Sequence, residues 1–247
     1  PIMPESHTLL KETNYTANGY YGLLASCLLE TGIPACNDPR ADLLVDMLRR
    51  KGGLVLGVSQ FFDMIDHAYS YGYWMTCLNR DEIERVILGL YSSMAYGMTR
   101  DTYAAVECTR IRSGENWWTL PHTYSNTQQL TLLRNMMVRE VGDDLFIGQA
   151  IPRHWLADGR RVAGRELPTA FGPVSFVIDS KTNEGVIRVT LRPPTRGRHK
   201  AIRLRLRHPA GLVIKSATCS PKTELSFKGE DIQFSSLNKP VEITVQY

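Results

Sequence analysis

The chain has 247 residues, 43% of them hydrophobic and 22% charged, with 29 Lys and Arg against 25 Asp and Glu. That apolar fraction excludes a disordered chain, and no apolar run approaches the roughly 20 residues of a membrane span, which leaves a globular protein with a sizeable core. The charge is split unevenly: residues 1–150 carry 12 Lys and Arg against 17 Asp and Glu, and residues 151–247 carry 17 against 8, which predicts two regions with different roles.

The first region reads as helices. Residues 18–30 are apolar nearly throughout and are followed by Gly32 and Pro34, which predicts a helix buried on every side. Asp38 and Pro39 supply a cap and a first-turn proline for a second helix over 41–51, stopped by Gly52 and Gly53. Residues 61–78, rich in aromatics at Tyr69, Tyr71, Tyr73 and Trp74, predict a third. Asn79 can cap a fourth over 81–96, with Asp81, Glu82 and Glu84 at its positive end. A fifth runs from His122 or Ser125 to Arg139. Between the fourth and the fifth the pattern breaks. Residues 102–109 alternate loosely, and 110–120 are polar and aromatic, with Gly114 and the pair Trp117-Trp118. A connection of about 20 residues exceeds the usual helix–helix loop, and loops of that length are commonly functional.

After Ile151 and Pro152 the composition changes. Short alternating runs at 174–178, 185–191, 201–207, 212–218, 224–227, 231–234 and 241–246 are separated by turn residues, which predicts an antiparallel β-sandwich. The expected architecture is α then β: a helical domain over 1–160 and a β-sandwich domain over 165–247, with the boundary in 151–172.

Chemistry is sought first among the carboxylates. Asp101, Glu107 and Glu115 lie beside Tyr103, Trp117 and Trp118. Glycosidic-bond hydrolysis needs two carboxyl groups in acid and base or nucleophile roles, and aromatic faces suit the apolar side of a sugar ring. Pairing of these acids with Arg100, Arg110 or Arg112 on the surface is the plainer reading. The run Leu120-Pro121-His122-Thr123-Tyr124-Ser125-Asn126 brings His, Tyr and Asn to a helix start, where His122 either caps the helix or reaches a sugar hydroxyl. Asp63, Asp66 and His67 have metal-type spacing if their stretch is helical, but no second cluster completes a site, so no metal or other cofactor is expected. Ser125 or Cys108 with His122 mimics a nucleophile–base pair without a supporting elbow motif. Arg203, Arg205 and Arg207 alternate on one strand. Without an aromatic RNA motif or a phosphate loop they read as a solvated face, so no nucleic-acid partner is expected. Cys27, Cys36, Cys77, Cys108 and Cys219 are odd in number with no C-x-x-C pair, and free thiols are expected.

With those residues in view, the order of parts resembles the six-hairpin glycosidases, the (α/α)6-toroid superfamily that includes α-L-rhamnosidases, over its C-terminal portion. The likeness rests on Gly97-Met98-Thr99-Arg100-Asp101-Thr102 leading to Glu107, and on the run from Leu120 to Asn126 entering a helix before terminal strands. It implies a partial toroid and a glycoside hydrolase. Glu107 would be the general base assisted by Glu115 or Asp101, and His122, Tyr124, Asn126, Trp117 and Trp118 would hold the sugar. Val106 stands where rhamnosidases tend to have Trp, and Thr123 separates His122 from Tyr124. Too few helices for twelve imply a carbohydrate substrate shared with a missing N-terminal half or a second copy, and a chain that is a piece of a longer enzyme. A periplasmic or extracellular setting would suit that work, although no leader is legible. The alternative is a non-catalytic carbohydrate-binding or scaffold module.

Overall fold

The computed structural model describes residues 16–196, 199–235 and 237–247. The chain divides into two compact units, Pro1–Leu133 and Arg134–Tyr247.

In the first unit, α1 (Tyr20–Glu30) and α2 (Pro39–Arg50) follow the expected pattern. Asp38 caps α2 by accepting the Arg40 N–H at 2.8 Å, Pro39 fills the first turn, and Ala41, Leu44, Val45, Met47 and Leu48 face inward. The chain then forms β1 (Leu54–Val55), β2 (Val58–Phe61) and β3 (Met64–Asp66) before α3 (Tyr71–Asn79) and α4 (Ile83–Tyr96). β4 (Cys108–Arg110) and β5 (Asn116–Trp117) complete a five-stranded antiparallel sheet in the order β1-β2-β3-β4-β5, and α5 (Thr123–Met137) closes the unit.

Two expectations fail here for identifiable reasons. The helix predicted over 61–78 is a hairpin followed by a shorter helix. Phe61, Met64, Ile65 and Ala68 satisfy the helical spacing as well as a short buried strand does. Two-residue turns at Leu56-Gly57 and Phe62-Asp63 decide between them, since Leu56, Gly57 and Phe62 adopt the left-handed conformation that reverses a strand. β3 is then paired on both sides and all three of its residues are buried. Nor is α1 buried all round. Tyr20, Leu24 and Leu28, spaced four apart, form an exposed face, while Leu23, Ala25, Ser26 and Leu29 face inward.

Small residues set the helix spacing. A Cβ on Gly72 of α3 would run into the Ser26 carbonyl and the Glu30 amide of α1, so the two backbones touch there. Backbone cannot yield as a side chain does. Gly72→Ala is therefore expected to cost about 3 kcal/mol, near the upper end for overpacking, read as a lower denaturation midpoint at unchanged m-value.

The second unit contains two five-stranded sheets. One runs β12-β15-β10-β9-β8, built from β8 (Arg161–Leu167), β9 (Val174–Lys181), β10 (Val186–Arg192), β12 (Ser216–Ser220) and β15 (Val241–Gln246), all antiparallel. The other runs β13-β14-β11-β7-β6, built from β6 (Val138–Val141), β7 (Asp144–Ile147), β11 (Ala201–Arg205), β13 (Ser226–Lys228) and β14 (Asp231–Phe234). Residues of both sheets enter one apolar core, among them Val138, Ile147, Phe176, Ile178, Val189, Leu204, Phe234 and Ile243.

These elements overturn the expected fold class. A partial (α/α)6 toroid needs helices paired with helices. Among the described residues of the first unit there are five helices, and the strands of a β-meander are interspersed between them. The expected C-terminal antiparallel β-sandwich is also corrected. The hairpin β6–β7, at residues assigned to the helical domain, joins the second sheet by a parallel pairing of β7 with β11, and the sheet order is not that of a single sandwich. Parallel partners distant in sequence leave no local turn signal, which is why alternation alone suggested hairpins. The alternating arginines of β11 and beyond are partnered. Arg203 binds Asp144 at 3.1 Å, Arg205 binds Asp231 at 2.7 Å, and buried Arg207 donates to the Ile151 carbonyl at 3.2 Å.

Candidate active site

Glu107 is the residue from which the site can be assembled. Its backbone is locked into the meander edge: its N–H donates to the Thr119 carbonyl at 3.2 Å and its carbonyl accepts the His67 N–H at 2.9 Å. The side chain, 23% exposed, turns back so that Oε2 accepts the Thr119 N–H at 3.2 Å and lies 3.9 Å from His122 Nε2.

His122 caps the helix and faces the Glu107 carboxylate. It precedes the first residue of α5, and its Nδ1 accepts the Ser125 N–H at 3.3 Å, capping the helix, with Ser125 Oγ at 2.7 Å. An accepting Nδ1 leaves the ring proton on Nε2, which faces the Glu107 carboxylate. Ser125 is wholly buried, so it serves the cap and is not a nucleophile.

Tyr124, on the first turn of α5, connects this pair to α1. Its ring lies 6.5 Å from that of His122 and 6.1 Å from that of Tyr69, both edge-on, and its hydroxyl donates to Glu30 Oε1 at 3.5 Å. Partial burial raises the Glu30 pKa, and the Tyr124 hydrogen bond opposes that rise. Glu30 also lines a cavity of about 350 Å3 with Cys36, Tyr71, Met75 and Asn79.

Beneath Glu107, at the end of β3, lies Asp66. It is buried opposite Cys108 in the register, and its Oδ1 accepts the Ala68 N–H at 2.8 Å. Burial lifts its pKa to about 6. Hydrogen bonds from Ala68 and Cys108 hold the rise down, and the charge of Glu107 adds to it. Burial and the Asp66 carboxylate push the Cys108 thiol far up, leaving it protonated and unreactive, and Cys27 is raised by burial and by Glu30. All five cysteines are free.

The remaining expected residues lie around this group. Trp118, 53% exposed and in a left-handed conformation, packs on Phe61 at 5.5 Å between ring centroids. Trp117 pairs with Cys108 across β4–β5 and carries the Arg110 guanidinium 4.1 Å over its ring. Asn126 is exposed on the first turn of α5. Asp101 is exposed in a left-handed turn, and Glu115 lies 3.9 Å from Arg110. Asp63, Asp66 and His67 do not converge as ligands. Asp63 pairs with Arg110 at 2.7 Å, His67 is buried against Thr109 at 3.3 Å, and among the described residues no group of His, Cys, Asp or Glu could hold a metal ion.

Sequence reasoning overlooked Asp66 and Glu30 as site carboxylates. The available signal for Asp66 was an acid inside the apolar run from Met64 to Ala68, which an amphipathic helix would have placed in solvent. Glu30 carried no signal, because only tertiary packing brings the end of α1 to the start of α5.

No family model and no curated protein matches the sequence. Among solved structures, the chain is similar to α-L-fucosidase isoenzyme 2 from Paenibacillus thiaminolyticus, a glycosidase, at 17% identity and a TM-score of 0.23. The likeness covers 51% of this chain and 19% of that enzyme, so the chain spans about a fifth of its length.

Proposed function

We propose that this chain acts in the hydrolysis of a glycosidic bond, with Glu107 as the base and Glu30 as the acid. The observation that carries the reading is the convergence of two carboxylates from distant elements on one aromatic group. Glu107 meets His122, Glu30 meets Tyr124, and Tyr69 packs beside Tyr124. Glu107 takes a proton from the attacking water, and Glu30 gives its proton to the departing sugar oxygen. A carboxyl group whose pKa is raised by burial suits the second role. Tyr69, Tyr124 and Trp118 offer ring faces to the sugar, and His122 Nε2–H orients the base. The finer reading, an α-L-rhamnosidase-like specificity, is drawn from the sequence runs around Glu107 and His122, which depart from the rhamnosidase pattern at Val106 and Thr123.

A second reading, a carbohydrate-binding module without turnover, is favoured by the exposure of Tyr103, Trp117 and Trp118, which could stack on sugars without any proton transfer. The two are separated by incubating the chain with a panel of p-nitrophenyl glycosides, α-L-rhamnoside included, and following glycan binding by calorimetry. Release of nitrophenol supports hydrolysis. Glycan binding with no release across the panel assigns the module.

The Glu30 role has its own signature. The Tyr124 hydroxyl stabilises ionised Glu30, so Tyr124→Phe raises the Glu30 pKa further. The alkaline limb of the pH–rate profile, where a protonated acid is lost, is then expected to move to higher pH. An unmoved limb would remove Glu30 from the acid role.

A further inference from the structure

The second unit carries a groove of about 370 Å3 on the outer face of β8, β9 and β10, lined by Arg161, Arg165, Glu166, Ser175, Thr190 and Arg192, with Val177 and Gly164 at its floor. Its shape comes from an irregularity in β8. The register shifts between Gly164 and Leu167, so Arg165 and Glu166 both project outward, and Glu166 takes a left-handed conformation. The Ser175 hydroxyl pins this bulge, accepting the Glu166 N–H at 2.9 Å and donating to Glu166 Oε1 at 3.0 Å. Ser175 pairs with Arg192 across β9–β10, so the bulge and the end of β10 bring Arg165 and Arg192 to the same groove.

Arg161 is engaged with Asp179 at 3.3 Å, and the arginines of β11 are paired, whereas Arg165 and Arg192 have no ion-pair or hydrogen-bond partner among the described residues. Two unpaired guanidinium groups lining one groove match a planar carboxylate, which they can grip through paired N–H bonds. The rest of the lining selects among anions. Val177 offers an apolar floor to a ring face, Thr190 and Ser175 offer hydroxyls, and Glu166 accepts from a ligand hydroxyl. The mixture fits a sugar bearing one carboxylate.

We propose that this groove binds a uronic-acid residue of an acidic saccharide, with Arg165 and Arg192 holding the carboxylate and Thr190 and Glu166 meeting the ring hydroxyls. The inference stands on the second unit alone and does not depend on the hydrolase reading.

The test is calorimetric titration of the 247-residue chain with trigalacturonate, and with a neutral galactose trimer as reference. Trigalacturonate is expected to bind at least tenfold more tightly than the neutral trimer. Arg165→Ala and Arg192→Ala should each weaken it about tenfold, and Arg192→Lys, which keeps charge but loses the planar fork, should weaken it nearly as much. Arg188→Ala, on the same sheet face but outside the groove, should leave binding unchanged. Failure of trigalacturonate to bind, an equal loss in Arg188→Ala, or tighter binding of a single-stranded DNA 12-mer at the same salt would each overturn the proposal. The substituted residues are exposed, so an unshifted melting temperature checks that each variant remains folded.

Discussion

Asp66→Asn is expected to stabilise the first unit by about 3 kcal/mol at pH 8. Burial raises the Asp66 carboxyl to about 6, some two units above its ordinary range, and each unit corresponds to about 1.4 kcal/mol. Above pH 6 the folded chain therefore holds a buried negative charge that the unfolded chain would leave in water. Asn keeps an oxygen for the Ala68 N–H and removes the charge. As pH falls through 6 towards 4, the wild-type carboxyl takes up its proton in the folded state first, and the cost disappears.

The neighbouring His67 has the opposite dependence. It is buried and its pKa is pushed down to about 4, so it stays neutral in the fold while the unfolded ring protonates below about 6.5. Stability from this group is lost as pH falls from about 6.5 to 4, by about 3 kcal/mol. In the wild type the two effects oppose each other across that window, and stability should be nearly flat. In Asp66→Asn only the His67 slope remains, so the gain at pH 8 should erode by pH 4.5. Urea unfolding followed by tryptophan fluorescence reads this directly, since Trp74, Trp117 and Trp118 all lie in the first unit. A variant less stable than wild type at pH 8 would mean that the hydrogen bonds of the carboxylate outweigh its burial.

Glu107→Gln is expected to lower kcat by about a thousandfold on any glycoside the chain turns over, within the range for loss of a general base. The amide oxygen can still accept the Thr119 N–H, so the meander edge should hold and the melting temperature should change little. Binding should persist, because His122, Tyr124 and Trp118 remain in place. Turnover within tenfold of wild type would dismiss Glu107 as the base. A collapse of sugar binding together with kcat would make it a ligand for the sugar instead.

How much of this was legible in advance varies from residue to residue. The α2 helix follows from Asp38-Pro39 at one end and Gly52 at the other, because caps and helix breakers act within a few residues. Strands β9, β10, β14 and β15 follow from alternation between turn residues for the same reason. The run from Leu120 to Asn126 also announced a helix start with His122 at its mouth. Sequence by itself thus determined the local elements, the charge asymmetry and the position of Glu107 in an aromatic connection.

Tertiary structure decided the rest. Residues 61–66 have an apolar spacing that serves helix or strand, and only pairing of β3 with both β2 and β4 selects the strand. That choice buries Asp66 and sets its proton affinity, which depends on the water removed around it and on nothing local. The partial toroid failed because helix-like runs do not reveal whether their neighbours are helices or a meander. The parallel pairing of β7 with β11 joins residues about 60 apart and leaves no mark in either strand. Glu30 and Tyr124 are 94 positions apart, and their meeting depends on how α1, α3 and α5 pack around Gly72 and Gln128. Local patterns follow from forces that decay within a turn of helix, whereas the site is built from long-range contacts whose partners only the folded chain specifies.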